Sequence, residues 1–425
     1  MMTSYKKNSL IFSPYSLIIW LCIFIPGHMG GFIIEQLFIA FVLVWGALIF
    51  LTQKTNSNYF KFTRFKILIF FLLLEIFYII SYLNAEITLL GGSGGIRDYL
   101  ELARYFIYFI FVLIIFFYHP RNSKYLVDTL ITASLFYSSF IALIYIFEVP
   151  ILNNFFEDFI YVATRDDLSQ ISTGGRVRFA APFPNSNYLA YFLCMSLVYL
   201  LFFTSSARKF LLIIICLFLL FLTGSRTGWL SSGFIFFIYQ ISYLQLGLTR
   251  RGNFGSLILV FTLSSGLIFL LVGGILPAVT RATELTDVIS SGDLSSVQSF
   301  AHRLEHNLFI WNSVKESLIF GIGPSKYSLT TVIDNQYLLW ITRQGIIGFL
   351  LIFAAACFIF QKMFRAARTT LHAYGVLCFF GLLALFCMTG AFLNNFRLFL
   401  LTIFFVAVIL DSCISITNSL TNKMR

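Results

Sequence analysis

The sequence predicts an all-α polytopic membrane protein with about 12 transmembrane helices, and three observations predict it. Of 425 residues, 59% are hydrophobic and only 11% charged, against about 25% charged in a soluble domain. Apolar stretches approaching the roughly 20 residues a membrane helix needs recur from near residue 15 to near residue 416. The Lys and Arg residues between them gather in alternate connections, as retention of basic loops on the cytoplasmic side requires. The 53 Phe and 21 Tyr suit lipid-facing and interfacial surface and carry no catalytic information by themselves.

Lys6 and Lys7 precede the first apolar run as in a signal peptide. No small-residue cleavage site follows, so the stretch near 15–26 is read as a retained first span. Spans near 31–51, 67–83, 102–118 and 126–148 complete an N-terminal transmembrane bundle, residues 1–148. Residues 149–186 are too polar to span and form an outer loop. Central spans near 187–204, 210–222, 227–245 and 256–276 fill residues 187–276. Residues 277–335 form a second, large outer loop, and spans near 336–360, 373–391 and 396–415 lie in the C-terminal segment 336–425. In the large loop, a Ser, Thr, Asp and Gly cluster around 290–299 precedes a helix expected over 300–318. There Leu304, Leu308, Trp311 and Val314 recur at helical spacing, which makes this loop the one candidate soluble subdomain.

With the N-terminus in the cytoplasm, 17 of the 29 Lys and Arg lie inside, and 15 of the 18 acids lie outside or at outer ends. Asp128 and Asp411 stand near inner ends, and Glu75 within a span. Both termini are therefore expected in the cytoplasm. The net charge of +11 is accounted for by topology, and no basic and aromatic surface suits nucleic acid. All seven cysteines fall in or beside apolar spans, so neither a disulfide framework nor a Cys-ligated metal is expected.

The outer cations are skewed. Ten of 12 are arginine, namely Arg97, Arg104, Arg165, Arg176, Arg178, Arg226, Arg281, Arg303, Arg343 and Arg397, whereas the inner face has nine Lys and eight Arg. Arginine makes paired hydrogen bonds to phosphate or carboxylate and stays charged near lipid, so the skew points to anion recognition at the outer boundary. The alternative for any one of them is a pair with an outward acid, or snorkelling toward headgroups. That alternative is strained for Arg226, in a short turn between apolar runs with no acid nearby in sequence, because charge at membrane depth is a functional signal. Arg176 and Arg178 alternate as in an extended segment and so share one side. Asn185, in Pro182-Phe183-Pro184-Asn185-Ser186-Asn187, is read first as a helix cap and second as a sugar contact.

Several constellations have a second, plainer reading. His302-Arg303-Leu304-Glu305-His306 fits a zinc-protease spacing, but no third ligand follows in a suitable helix, and an ordinary polar helix surface is preferred. The same spacing sets Arg303 beside His306 and Asn307 on one face, where they can donate to a phosphate. Gly91-Gly92-Ser93-Gly94-Gly95 lacks the Gly-Lys-Ser/Thr ending of a nucleotide loop. Asp334, before Asn335-Gln336-Tyr337, is read as a helix cap, and also as a carboxylate able to accept the proton of a hydroxyl nucleophile. Arg343 follows in the next span, and Gly345-Ile346-Ile347-Gly348 permits close helix packing.

In order, Leu222-Thr223-Gly224-Ser225-Arg226-Thr227-Gly228-Trp229, Arg303 with Trp311, Phe320-Gly321-Ile322-Gly323-Pro324, Asp334-Asn335-Gln336-Tyr337-Leu338 and Gly345-Ile346-Ile347-Gly348 resemble the landmarks of the O-antigen ligase and polymerase superfamily. The likeness covers about residues 174–350. It implies a glycosyltransferase of GT-C-like architecture in the bacterial inner membrane, acting on the outer side on undecaprenyl-diphosphate-linked sugars. Ligases of that superfamily carry a histidine just before the Asn-x-Tyr-Leu-like stretch. Aspartate stands there in this chain, which favours an O-antigen polymerase over a ligase that transfers finished glycan to lipid A core. A lipid-linked glycan flippase is the rival from a different class. It would place charge at the bilayer midplane, whereas here charge collects on one rim.

The expected site then comprises Arg226, Arg303 and Asp334 in the chemistry, with Arg176, Arg178, Asn185, His306, Asn335, Tyr337 and Arg343 binding substrate. No cofactor is expected, because the glycosyl-diphosphate bond already stores the free energy. Expected partners are the lipid-linked oligosaccharide, membrane lipids and a chain-length regulator protein.

Overall fold

The computed structural model describes residues 14–24, 44, 58–87, 104–118, 123–147, 179–183, 185–204, 208–245, 298–324, 333, 335–367 and 370–423. Among the described residues the chain is helical, without strands. Eleven α-helices follow in order: α1 (Pro14–Phe24), α2 (Asn58–Ile87), α3 (Arg104–Tyr118), α4 (Ser123–Ile146), α5 (Ser186–Phe202), α6 (Lys209–Leu222), α7 (Arg226–Gln245), α8 (Gln298–Val314), α9 (Gln336–Ala366), α10 (Thr370–Thr389) and α11 (Phe396–Lys423). Ten of the 12 expected spans coincide with these helices. The spans near 31–51, of which only Val44 is described, and near 256–276 lie outside the described residues, as do most of the loop 149–186 and residues 277–297.

Three helical stretches among the described residues are long and apolar enough to cross a membrane: Tyr125–Ile144, Gln336–Ala366 and Leu371–Thr389. Shorter apolar helices, Ile69–Asn84, Ser186–Phe202, Lys209–Leu222 and Phe396–Leu410, accompany them. These are the marks of a membrane protein. In such a protein lipid tails are as apolar as leucine, so helices associate through close packing and interhelical hydrogen bonds rather than through the hydrophobic effect.

α5 stands at the centre. Every residue from Leu189 to Phe203 is buried, as expected of a helix that is apolar all round, and α6, α7, α10 and α11 surround it. Polar side chains join the neighbours. The Tyr191 and Thr402 hydroxyls hydrogen-bond at 2.9 Å between α5 and α11, and the Cys216 thiol donates to Leu193 O. At one end Thr204 donates to Asp128 Oδ1 at 3.0 Å, and Lys209 Nζ to Leu201 O at 2.9 Å. The opposite end, where α3, α5, α7, α9 and α11 begin, holds the candidate site.

Three of those helices start on an asparagine. The Asn185 side chain accepts from Asn187 N at 2.8 Å and caps α5. Asn335 accepts from Tyr337 N at 3.0 Å and Leu338 N at 3.2 Å and caps α9. Asn395 accepts from Arg397 N at 3.0 Å and Leu398 N at 3.2 Å at the start of α11. Each cap satisfies amide donors that a helix leaves without intrahelical partners. The cap expected of Asp334 is thus made one residue later, by Asn335, whose φ of −116° and ψ of 116° are the extended values a cap requires.

Candidate functional site: an arginine-rich end of the bundle

The site rests on a helix that breaks. α9 carries non-helical φ/ψ at Gly345, with φ +67° and ψ −175°, a conformation in which side chains are strained. There is also no room for one: a Cβ on Gly345 would lie 2.0 Å from Ile319 O, and one on Gly321 would lie 2.5 Å from Gly345 N. The backbones therefore touch, and the turn after α8 takes over bonds that the broken helix gives up. Ile322 N donates to Thr342 O at 2.8 Å, Gly323 N to Arg343 O at 3.1 Å and Ile346 N to Leu318 O at 2.8 Å. Ser81 of α2 completes this lock, donating to Arg343 O and accepting from Gly323 N at 2.6 Å, while Asn84 Nδ2 donates to Gly321 O at 3.2 Å. Each backbone group left unsatisfied in lipid would cost several kcal/mol, so this set of bonds is what permits the kink. The two glycine motifs, far apart in sequence, are one contact in space.

Arg343 sits inside the lock and points at a short 3₁₀ turn, Phe392–Asn394. It is buried, and its Nη1 donates to Asn394 Oδ1 at 3.0 Å. From the other side buried Arg104, the first residue of α3, donates through Nη1 to Asn394 O and to Tyr108 Oη at 3.0 Å. Its guanidinium lies 4.5 Å from the Phe396 ring centre, within cation–π range. Buried Arg397 begins α11 beside the same turn. The turn itself is pinned by Asn394 N donating to Gln336 Oε1 at 3.2 Å and by Tyr108 Oη donating to Leu393 O at 2.6 Å. Glu75, at mid-span in α2, lies beside the backbone amides of Tyr105 and Phe106 at the start of α3.

Arg226 stands on the same end. Gly224 turns the chain with φ +57°. Ser225 Oγ accepts from Gly228 N at 3.3 Å, capping α7, and donates to Asn187 Oδ1 at 3.0 Å. Arg226 is therefore the first helical residue, half-buried, with its backbone tied to the start of α5. That start reaches the 3₁₀ turn through the ring contact Tyr188–Phe392 at 5.4 Å. Phe179 N donates to Leu222 O at 3.3 Å, so the chain just after Arg178 runs beside the Arg226 turn.

The structure thus brings together Arg343, Arg226, Asn185 and Asn335 of the residues the sequence singled out. Asn185 and Asn335 act as caps. Tyr337 turns away, its hydroxyl donating to Ala384 O at 3.1 Å between α9 and α10. His306 lies half-buried on α8. The helix expected over 300–318 runs Gln298–Val314 and tightens into 3₁₀ through Ser317. It packs on α9 through Ile310, Val314, Ile322, Leu338 and Leu339. Arg176, Arg178 and Asp334, and the side chain of Arg303, lie outside the described residues.

Arg104 and Arg397 belong to the outward arginines but were not distinguished from the rest. The available signal was position: each stands at the very start of an apolar span. Ser81 carried no signal, because a serine within a span matters only through what its partner helix presents. Among the described residues no group of three His, Cys, Asp or Glu could hold a metal ion. The chain matches no family model and no curated protein.

Proposed function

We propose that the protein is a polysaccharide polymerase of the bacterial inner membrane, joining undecaprenyl-diphosphate-linked oligosaccharide units into O-antigen or a related surface polymer. The reading includes about 12 spans in a GT-C-like arrangement, both termini in the cytoplasm, and the arginine-rich end on the periplasmic side. The observation that carries it is the meeting of Arg104, Arg343 and Arg397 around one turn, at the end where Arg226 and the N-termini of α5, α9 and α11 also lie. Helix N-termini and arginines both favour negative charge, and a departing lipid diphosphate is the anion this chemistry suits.

In the reaction the acceptor hydroxyl oxygen forms a bond to the anomeric carbon of the donor while the bond from that carbon to the diphosphate oxygen breaks. The electron pair leaves with the diphosphate, and the hydroxyl proton passes to a base. Asp334, adjacent in sequence to the cap Asn335, is our candidate for that base. Arg226, Arg303 and Arg343, with Arg176 and Arg178, hold the diphosphate and neighbouring sugar, so the protein's contribution is positioning and stabilisation of developing charge.

Lipopolysaccharide profiles of a deletion strain test the assignment. A polymerase defect leaves core bearing one repeat. Bare core would point to ligase activity.

A further inference from the structure

We infer that α8 and the turn after it form a lipid-contacting element, with α8 lodged at the bilayer surface and Ile319–Phe320 dipping beside α9, so that the partner of this surface is membrane lipid. Large apolar side chains are bare on this element. Trp311 is 41% exposed, Leu308 53%, Ile319 60% and Phe320 39%, although Ile310 and Val314 of the same helix are buried against α9. Leu308, Trp311 and Lys315 follow at spacings of three and four and share one side of the helix. Exposed Glu305, Asn312 and Glu316 stand at spacings of seven and four, and exposed Phe309, four after Glu305 and three before Asn312, shares their side. A helix with an apolar stripe next to a charged stripe, with Trp and Lys among the anchors, has the pattern of one lying in the interface.

The bare surface is continuous with surface of α9 that a membrane protein presents to lipid. The apolar window of α9 is only 11% buried, and Ile346, Leu350 and Phe353 on it are exposed. Ile319 O faces Gly345, and Ile346 N donates to Leu318 O, so the backbone of exposed Ile319 and Phe320 runs beside exposed Ile346. Meanwhile α8 meets α9 at Leu338 and Leu339, seven residues nearer its start, or about 10 Å at 1.5 Å per residue. The chain therefore descends along α9 from α8 to Phe320. Irregular backbone at such depth is tolerated when protein supplies its hydrogen bonds, as Thr342, Arg343 and Ser81 do here.

The test uses the full-length protein in phosphatidylethanolamine and phosphatidylglycerol vesicles. Cys357 is the one exposed cysteine, so a Cys357→Ser background accepts single labels at Leu308→Cys, Asn312→Cys or Phe320→Cys, carrying an environment-sensitive fluorophore. The expected result is strong quenching at 308 by shallow lipid nitroxides, at 320 by deeper ones, and at 312 by aqueous iodide. Iodide quenching at 308 and 320 equal to that at 312, with no nitroxide effect, overturns the inference. Shielding from both quenchers, with disulfide crosslinks between copies at 308, overturns it in favour of a second copy. As a label-free check, brominated lipids should quench wild-type tryptophan emission more than that of Trp311→Phe; equal quenching counts against lipid contact. None of these readouts depends on catalysis, so they stand or fall separately from the polymerase reading.

Discussion

Arg343 and Arg104 approach a single asparagine from opposite sides, one taking its side-chain oxygen and the other its backbone carbonyl. Guanidinium geometry matters in such a place, because an ammonium keeps the charge and loses the planar fork. Arg343→Lys and Arg226→Lys should each lower polymerisation by about 10²- to 10³-fold, the usual cost of losing one donor to developing negative charge. Both proteins should still accumulate in the membrane. Polymer length and yield on gels, against membrane protein level, check this. Asn335→Ala has a different expected signature. It removes a cap bonded to two amides and should cost about 1 kcal/mol of stability, read as a lowered melting temperature in detergent. Asn335→Asp should restore most of it, since aspartate caps equally well.

The elements were legible because their signal is local. A span announces itself by an apolar run, and ten such runs became helices with ends within a few residues of those expected, except where α2, α9 and α11 extend past the apolar run into their polar flanks. The break in α9 was not legible. Gly345-Ile346-Ile347-Gly348 reads as a motif for close packing between helices, whereas a Cβ at Gly348 would meet the Gln344 side chain of the same helix at 2.3 Å. Gly345, by contrast, is a kink whose partner is a turn some 25 residues earlier, and no local pattern in the sequence encodes that pairing. Gly345→Ala brings a positive φ, worth roughly 1–2 kcal/mol, and a collision with Ile319 O. It should therefore destabilise the protein by more than the φ term alone and lower activity through displaced Arg343. Ser81→Ala removes one bridge of the same lock and should act in the same direction with a smaller loss. Thermal melts of the two variants, compared with their activities, rank these effects.

At the scale of the molecule, the sequence placed ten arginines on one face by counting charges, and the structure gathers four of the described ones, Arg104, Arg226, Arg343 and Arg397, at one end of the helices. Which of them share an anchor depended on tertiary contacts: α3 meets α11 and α2, and α9 meets α2 and α11. The same charge pattern predicts a topology. Labels placed beside Arg226 or Asn394 should react from the periplasm, and labels beside Arg208 from the cytoplasm.

Purified protein, given only purified undecaprenyl-diphosphate-linked repeat units, provides the most direct test. We predict a ladder of lengthening glycans with release of undecaprenyl diphosphate and no added nucleotide, and loss of that ladder in an Arg226→Ala, Arg343→Ala double variant that still melts cooperatively. A wild-type protein that leaves the repeat units unjoined, or a double variant that joins them at the wild-type rate, would contradict it.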